Sequence, residues 1–267
     1  MTDIHNVVFE MFLEFKNVCE KLNLKWYLIN GSALGAVKYG GFIPWDDDMD
    51  IGMPRKDYEI FIKEAQRQLP EHIFIQNSFS DKRFPHIFTK LRNSKTVFIE
   101  NCMKHIDMNH GIYLDIFPLD YYPENIREQK KMKRKEKLLY WKMVCALDDK
   151  SKFKIRIRNK VFRILGYHKC TDKTIAKIHK LISGYEKSEY ICNHEDRMPS
   201  KRIIPRKFYG NGKVILFEGI QVRVPELTDE YLTFKYGDWR RDLPKEEQKS
   251  HHIADICDVN KSYKEYM

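Results

Sequence analysis

The chain reads as an α+β protein, a mixed sheet with flanking helices that is interrupted by a basic helical insertion. Three observations predict this. Short β-rich runs bounded by turn residues mix with amphipathic stretches of helical period, without a regular alternation of the two. Two apolar runs carry acids inside them, Asp48-Met49-Asp50-Ile51 and Leu114-Asp115-Ile116-Phe117. Between Ile126 and Lys169 the composition changes, with 16 basic residues against four acidic ones, and this stretch supplies the whole of the net charge of +10.

Taken in order, Val7, Val8, Met11, Phe12, Phe15, Val18, Cys19 and Leu22 recur at helical spacing, so the chain opens with an amphipathic helix. Trp26 to Asn30 reads as a strand, Ala33 to Lys38 as a short helix, and Asp48 to Met53 as a second core strand stopped by Pro54. Arg55 to Gln68 follows as a helix with Tyr58, Phe61, Ile62 and Ala65 inward. His72 to Gln76, Phe84 to Leu91, Thr96 to Glu100 and Ile112 to Phe117 have strand composition. Glu124 to Leu147 and Lys152 to Leu165 read as basic amphipathic helices, and Asp172 to Ser183 as a third helix. Lys213 to Phe217 and Ile220 to Val224 make a hairpin across Glu218-Gly219, and a last helix runs from Thr228 to Tyr236, closed by Gly237. The expected organisation is a catalytic core over 1–123, a helical insertion over 124–185, and a C-terminal part over 186–267 that completes the core.

With 267 residues, 42% of them hydrophobic, the chain can bury a sizeable core. It opens without a basic, apolar leader, and no apolar run approaches the roughly 18 residues that span a bilayer, so a cytoplasmic protein is expected. Six scattered cysteines include no Cys-x-x-Cys pair, which argues against zinc and a disulfide framework.

The chemistry is suggested by the acids. Asp46, Asp47, Asp48 and Asp50 crowd into one short segment after Pro44-Trp45. An unpaired buried carboxylate costs several kcal/mol, so acids within apolar strands need a partner. Strand positions i and i+2 share a face, which lets Asp48 and Asp50 address one ion while Asp115 joins from a neighbouring strand. Hard carboxylate oxygens suit Mg²⁺, with Mn²⁺ as a substitute, and Gly31-Ser32 at a strand end lets backbone N–H groups approach a phosphate. The plainer alternative, a solvated acidic turn or a Ca²⁺ loop, leaves Gly31-Ser32 and Asp115 without a role and lacks EF-hand spacing.

The runs Asn30-Gly31-Ser32-Ala33-Leu34-Gly35 and Gly41-Phe42-Ile43-Pro44-Trp45-Asp46-Asp47-Asp48-Met49-Asp50 closely resemble the LicD family of phosphotransferases. Leu114 to Asp120, Val224-Pro225 through Leu232, Tyr236-Gly237-Asp238-Trp239, Pro244 and His251-His252 are similar to it as well, with Trp239 and Leu243-Pro244 as small departures. The resemblance implies a nucleotidyltransferase core of the polymerase-beta type and transfer of phosphocholine from CDP-choline to a sugar of teichoic acid, lipopolysaccharide or capsule. It implies Asp48 and Asp50 as metal ligands, Asp115 as third ligand or base, and Ser32 beside the donor phosphate; Gly31, Trp45 and His252 are further candidates for substrate contact.

Lys90 and Arg92, two apart on one strand face, suit a diphosphate or, alternatively, a solvated edge. A quaternary ammonium calls for aromatic faces, and Trp141 and Tyr122 are the first candidates. The basic helices suit an anionic membrane that presents a lipid-linked glycan acceptor, at the inner face of the cell membrane. A solvated face is the alternative, and nucleic acid is disfavoured because the segment lacks interleaved aromatics. Transfer of ribitol or glycerol phosphate, nucleotidyl transfer, and a non-catalytic binding module are the competing functions.

Overall fold

A computed structural model describes the chain apart from residues 102, 147–159, 162–163, 165–171, 197, 251 and 253, and apart from the side chains of 141–146. The helix expected over Lys152 to Leu165 thus lies almost wholly outside the described residues.

The main sheet is mixed. Its strands run in the order β1 (Tyr27–Leu28), β2 (Asp50–Pro54), β6 (Ile112–Tyr122), β4 (Thr89–Asn93), β3 (Ile73–Gln76). β2 and β6 are parallel, whereas β1–β2, β6–β4 and β4–β3 are antiparallel. The far end of β6 continues past β2 and β4 to pair with β7 (Tyr190–Cys192), which pairs in turn with β8 (Ile203–Pro205). Two ribbons stand apart: β9 (Lys213–Phe217) with β10 (Ile220–Val224), and β5 (Val97–Glu100) with β11 (Ala254–Asp258).

Helix α1 (Asp3–Lys21) is capped by Thr2 and His5, and buries Val8, Met11, Phe12, Phe15, Val18 and Cys19 against the sheet. Each such side chain contributes about 1.5–3 kcal/mol by leaving water. Phe12 and Phe15 meet Trp26 edge-on at 5.4 and 5.7 Å. Around the sheet lie α2 (Asn30–Lys38), α3 (Arg55–Glu64), α4 (Ile126–Ala146), α5 (Asp172–Ile182) and α6 (Thr228–Tyr236). A second, smaller apolar cluster joins α4 and α5 to the end of β6 through Met132, Ile178, Ile182, Ile87, Cys192 and Tyr122.

Several boundaries differ from expectation. The first strand is shorter, because Asn30 turns into a left-handed conformation (φ 48°) and starts α2, so Gly31 and Ser32 lie in the first turn of that helix. Asp48 precedes β2 instead of belonging to it. The strand expected from Phe84 begins only at Thr89, since Phe84, His86 and Phe88 form an aromatic cluster that stacks on Phe117. The hairpin forms as expected, with Glu218 and Gly219 both at positive φ (47° and 81°), the requirement of a type I′ turn. Gly237 closes α6 at φ 72°.

Candidate active site

The parallel register of β2 and β6 sets Asp50 directly opposite Asp115, and the Asp115 N–H donates to the Met49 carbonyl at 2.8 Å. Asp48, just before the strand, turns its carboxylate to the same place. One oxygen from each of Asp48, Asp50 and Asp115 lies within 4.8 Å of the others. Oxygens around a bound Mg²⁺ are separated by about 3–4 Å, so modest side-chain rotation brings all three onto one ion. The electrostatics favour this. Burial, and then the neighbouring Asp48 and Asp115 charges, push the Asp50 carboxyl well above its usual range. Asp115 is likewise raised by burial, with Lys90 opposing. A divalent cation would relieve both, so the donor set fits a hard metal.

Each element that frames the acids has a visible cause. The Ser32 hydroxyl accepts from the Asp50 N–H at 2.7 Å, which ties the start of α2 to β2. The Asn30 N–H donates to the Tyr231 hydroxyl on α6 at 3.0 Å, holding the strained turn that presents Gly31. A Cβ on Gly31 would fall 2.8 Å from Asp46 Oδ2, so a side chain there would push that carboxylate away from the helix start. Burial, and then the Asp48 charge, raise Asp46 to about 7. His5 of α1 reaches the Asp46 carbonyl at 2.7 Å, and its ring stacks on Phe42.

Two basic groups lie against the acids. Lys90 is cross-strand to Asp115, bonds Asp115 Oδ1 at 2.7 Å, and sits 3.3 Å from the Tyr113 ring centroid. His252 Nε2 is 2.6 Å from Asp48 Oδ2. On its other side, His252 Nδ1 meets the Tyr113 hydroxyl at 2.8 Å and Glu100 Oε1 at 3.4 Å. Burial works against the Glu100 charge, but the His252 hydrogen bond and the Lys90 charge outweigh it and hold the carboxyl at about 2.

The structure therefore brings Gly31, Ser32, Asp48, Asp50, Lys90, Asp115 and His252 together. It places the others elsewhere. Arg92 does not face the acids as a diphosphate ligand would: it is 1% exposed, donating to Gln76 Oε1 at 2.8 Å and the Gly111 carbonyl at 2.7 Å. Tyr122 is corrected in the same way. It lies seven residues beyond Asp115 on β6, about 23 Å at strand rise, and packs in the second apolar cluster. Trp45 is half-buried and edge-on to Tyr39 at 6.0 Å, beside the acidic segment. Trp141 is on α4, with a side chain outside the described residues. Sequence reasoning missed Glu100, Tyr113, Asn30 and Tyr231. Only Asn30 had a signal, as an αL-tolerant residue before glycine.

Comparison with known proteins agrees with this geometry. Residues 23–144, which carry all three aspartates and Lys90, match the LicD/FKTN/FKRP nucleotidyltransferase domain. That segment is thus of the nucleotidyltransferase-like class. Over 250 residues the chain is 24% identical to the lipopolysaccharide cholinephosphotransferase LicD of Haemophilus influenzae, covering 90% of this chain and 91% of that protein. Uncharacterized proteins of Rickettsia prowazekii and Rickettsia typhi are 30% and 28% identical over 118 and 126 residues, 44% of this chain in each case and 41% and 36% of theirs. Residues 23–144 thus carry a LicD-type domain, and the chain is similar over most of its length to a LicD phosphotransferase.

Proposed function

We propose that the protein transfers phosphocholine from CDP-choline to a sugar hydroxyl of a cell-surface glycan precursor, in a Mg²⁺-dependent reaction that Mn²⁺ also supports. The observation that carries this is the convergence of Asp48, Asp50 and Asp115 within 4.8 Å at the start of a Gly-Ser helix, in a chain similar along nearly its whole length to a cholinephosphotransferase. The three carboxylates would hold the ion, which supplies charge neutralisation on the transferring phosphate and polarises the leaving group. The chain's own groups do the rest. The acceptor oxygen forms a bond to the choline-bearing phosphorus, the bond from that phosphorus to CMP breaks, and the hydroxyl proton passes to Asp115. Gly31 and Ser32 present the α2 start to the donor phosphates, and Lys90 balances Asp115 as it changes charge. Trp45, which precedes the acidic segment in sequence and meets Tyr39 edge-on, is a candidate for the choline end; Trp141 remains a second aromatic candidate for the same cation.

We read the sheet as a polymerase-beta-type core over 1–123, with 124–185 inserted and 186–267 completing it. The basic α4 suits a peripheral contact with an anionic membrane at its cytoplasmic face, where a lipid-linked acceptor of teichoic acid, lipopolysaccharide or capsule would be met. Nucleic acid is not a partner in this reading. No helix among the described residues is long and apolar enough to cross a membrane. The name of the matching domain keeps nucleotidyl transfer as a second reading.

The test is incubation with labelled CDP-choline, CDP-ribitol and CDP-glycerol, a lipid-linked glycan extract, and Mg²⁺ or EDTA. Phosphocholine on the glycan with release of CMP, lost in EDTA, is the expected result. A ribitol or glycerol phosphate product would change the donor, a nucleotide on the glycan would change the reaction, and no product in any condition would favour a binding module.

A further inference from the structure

The matched domain ends at residue 144, yet one edge of the acidic site is built from the other end of the chain. The β5–β11 ribbon brings residues 254–258 alongside 97–100, and this carries His252 beside Asp48. His252 is 7% exposed, and both ring nitrogens are engaged by protein groups. Nε2 faces Asp48 Oδ2 at 2.6 Å, while Nδ1 faces Tyr113 OH at 2.8 Å and Glu100 Oε1 at 3.4 Å. Glu100 closes β5, and its Cα partner in the ribbon is Ala254, two residues beyond His252. Tyr113 lies two residues before Asp115 on β6. Three separate segments thus converge on one imidazole, and that imidazole meets a carboxylate of the acidic cluster.

We propose that His252, held by Glu100 and Tyr113, is a positioning residue that fixes the Asp48 carboxylate for the divalent cation. The inference rests on the metal-dependent reading of the site, and it reassigns His252 from substrate contact to the ligand shell behind Asp48. Asp48 needs such a support more than its neighbours do. Asp50 and Asp115 are anchored by the β2–β6 ladder, whereas Asp48 precedes the strand. A side chain outside regular structure keeps rotamer freedom that a second hydrogen-bonded group removes, and groups behind the ligands typically change metal affinity by 10–100-fold. The C-terminal ribbon is then part of the metal site, not only a cover on the sheet.

The experiment uses the full chain and Mn²⁺, read by EPR of the free ion, with thermal unfolding of the apo protein alongside. Wild type, His252→Ala, His252→Gln and Glu100→Gln are compared. His252→Ala is expected to weaken Mn²⁺ binding by about 10-fold or more. His252→Gln, whose amide can still donate to Asp48, should recover much of that loss. Glu100→Gln should weaken binding less, in the same direction, and it serves if His252→Ala fails to fold. In turnover, raising Mn²⁺ should restore kcat of His252→Ala without altering KM for CDP-choline. Affinity within twofold of wild type in both His252→Ala and Glu100→Gln, with only the unfolding temperature lowered, would overturn the proposal and leave His252 as a tether for β11. Failure of the wild type itself to bind Mn²⁺ would instead overturn the metal reading on which it depends.

Discussion

Strand β6 carries two buried aspartates, and the protein treats them in opposite ways. Asp115 and Asp120 are 5% and 0% exposed, in the single run Leu114-Asp115-Ile116-Phe117-Pro118-Leu119-Asp120. Asp120 is met by Arg55 through two bonds of 2.6 Å, one to each oxygen, with His194 at 3.8 Å. Asp115 instead looks across the same parallel register at Asp50, another acid, and Lys90 engages one of its oxygens. Arg55 follows the last residue of β2, at the start of α3, and from there its side chain reaches Asp120, which follows Leu119, the partner of Pro54. Both are buried in one apolar run, but five residues apart they point to opposite faces of the strand and meet different groups. A carboxylate satisfied by a bidentate guanidinium is structural, whereas one set against its like stays in want of positive charge.

Breaking each half should give opposite signatures. Asp50→Asn and Asp115→Asn remove charge from the proposed metal site, and turnover should fall by about a thousandfold, equivalent to about 4 kcal/mol in the barrier. Because Asp50→Asn also removes like-charge repulsion, the unfolding temperature of that apo variant should hold or rise, whereas Asp115→Asn leaves Lys90 buried without its partner charge and should lower it; a steady-state assay beside a melting curve checks both. Asp120→Asn should spare turnover. It leaves Arg55 buried without its partner charge and should cost about 3–5 kcal/mol in urea unfolding, with activity per folded molecule close to wild type.

A pH series sharpens the contrast. Asp46 is raised to about 7, and Asp50 and Asp115 are also raised, so the native state holds protons that the unfolded chain gives up near its ordinary carboxyl pKa. Their contribution to stability is complete at low pH and lost as pH rises through about 7. Glu100, held at about 2, acts oppositely, losing its contribution only as pH falls towards that value. The metal-free protein should therefore lose stability between about pH 4 and 7, and saturating Mn²⁺ should flatten or invert the slope. A metal-free protein that gained stability across that range would contradict the placement of these acids. The smallest effect is expected for Ser32→Ala, which deletes the bond to the Asp50 N–H: about 1 kcal/mol, near fivefold in kcat, measured at saturating metal.

The acids were legible because their signal is local. An aspartate in an apolar run is anomalous wherever it falls, and Asp48, Asp50 and Asp115 did converge. What the anomaly does not carry is its partner. Lys90 was noticed as a basic residue on a strand, but its position against Asp115 follows from the β4–β6 register, which is set by residues distant in sequence. Arg92, on the same strand face, meets Gln76 and Gly111 for the same reason. Tyr122 is a candidate on aromatic character alone, which does not show how far β6 carries it from Asp115. β4 has already ended opposite Ile116, so the missing N–H of Pro118 breaks no bond on that side and β6 runs on. The strand Ala254–Asp258 went unseen because its residues alternate only weakly, and with it went the part played by Glu100.

A strand shifted by one residue exchanges its two faces. Asp115 and Asp120 stand about 16 Å apart along β6, so any slippage that displaced the first would also strip the second from Arg55. The guanidinium clamp at one end thereby acts as a ratchet stop for the other. It holds two mutually repelling carboxylates in alignment without itself approaching the chemistry, and the cost of misalignment is borne where no substrate needs to bind.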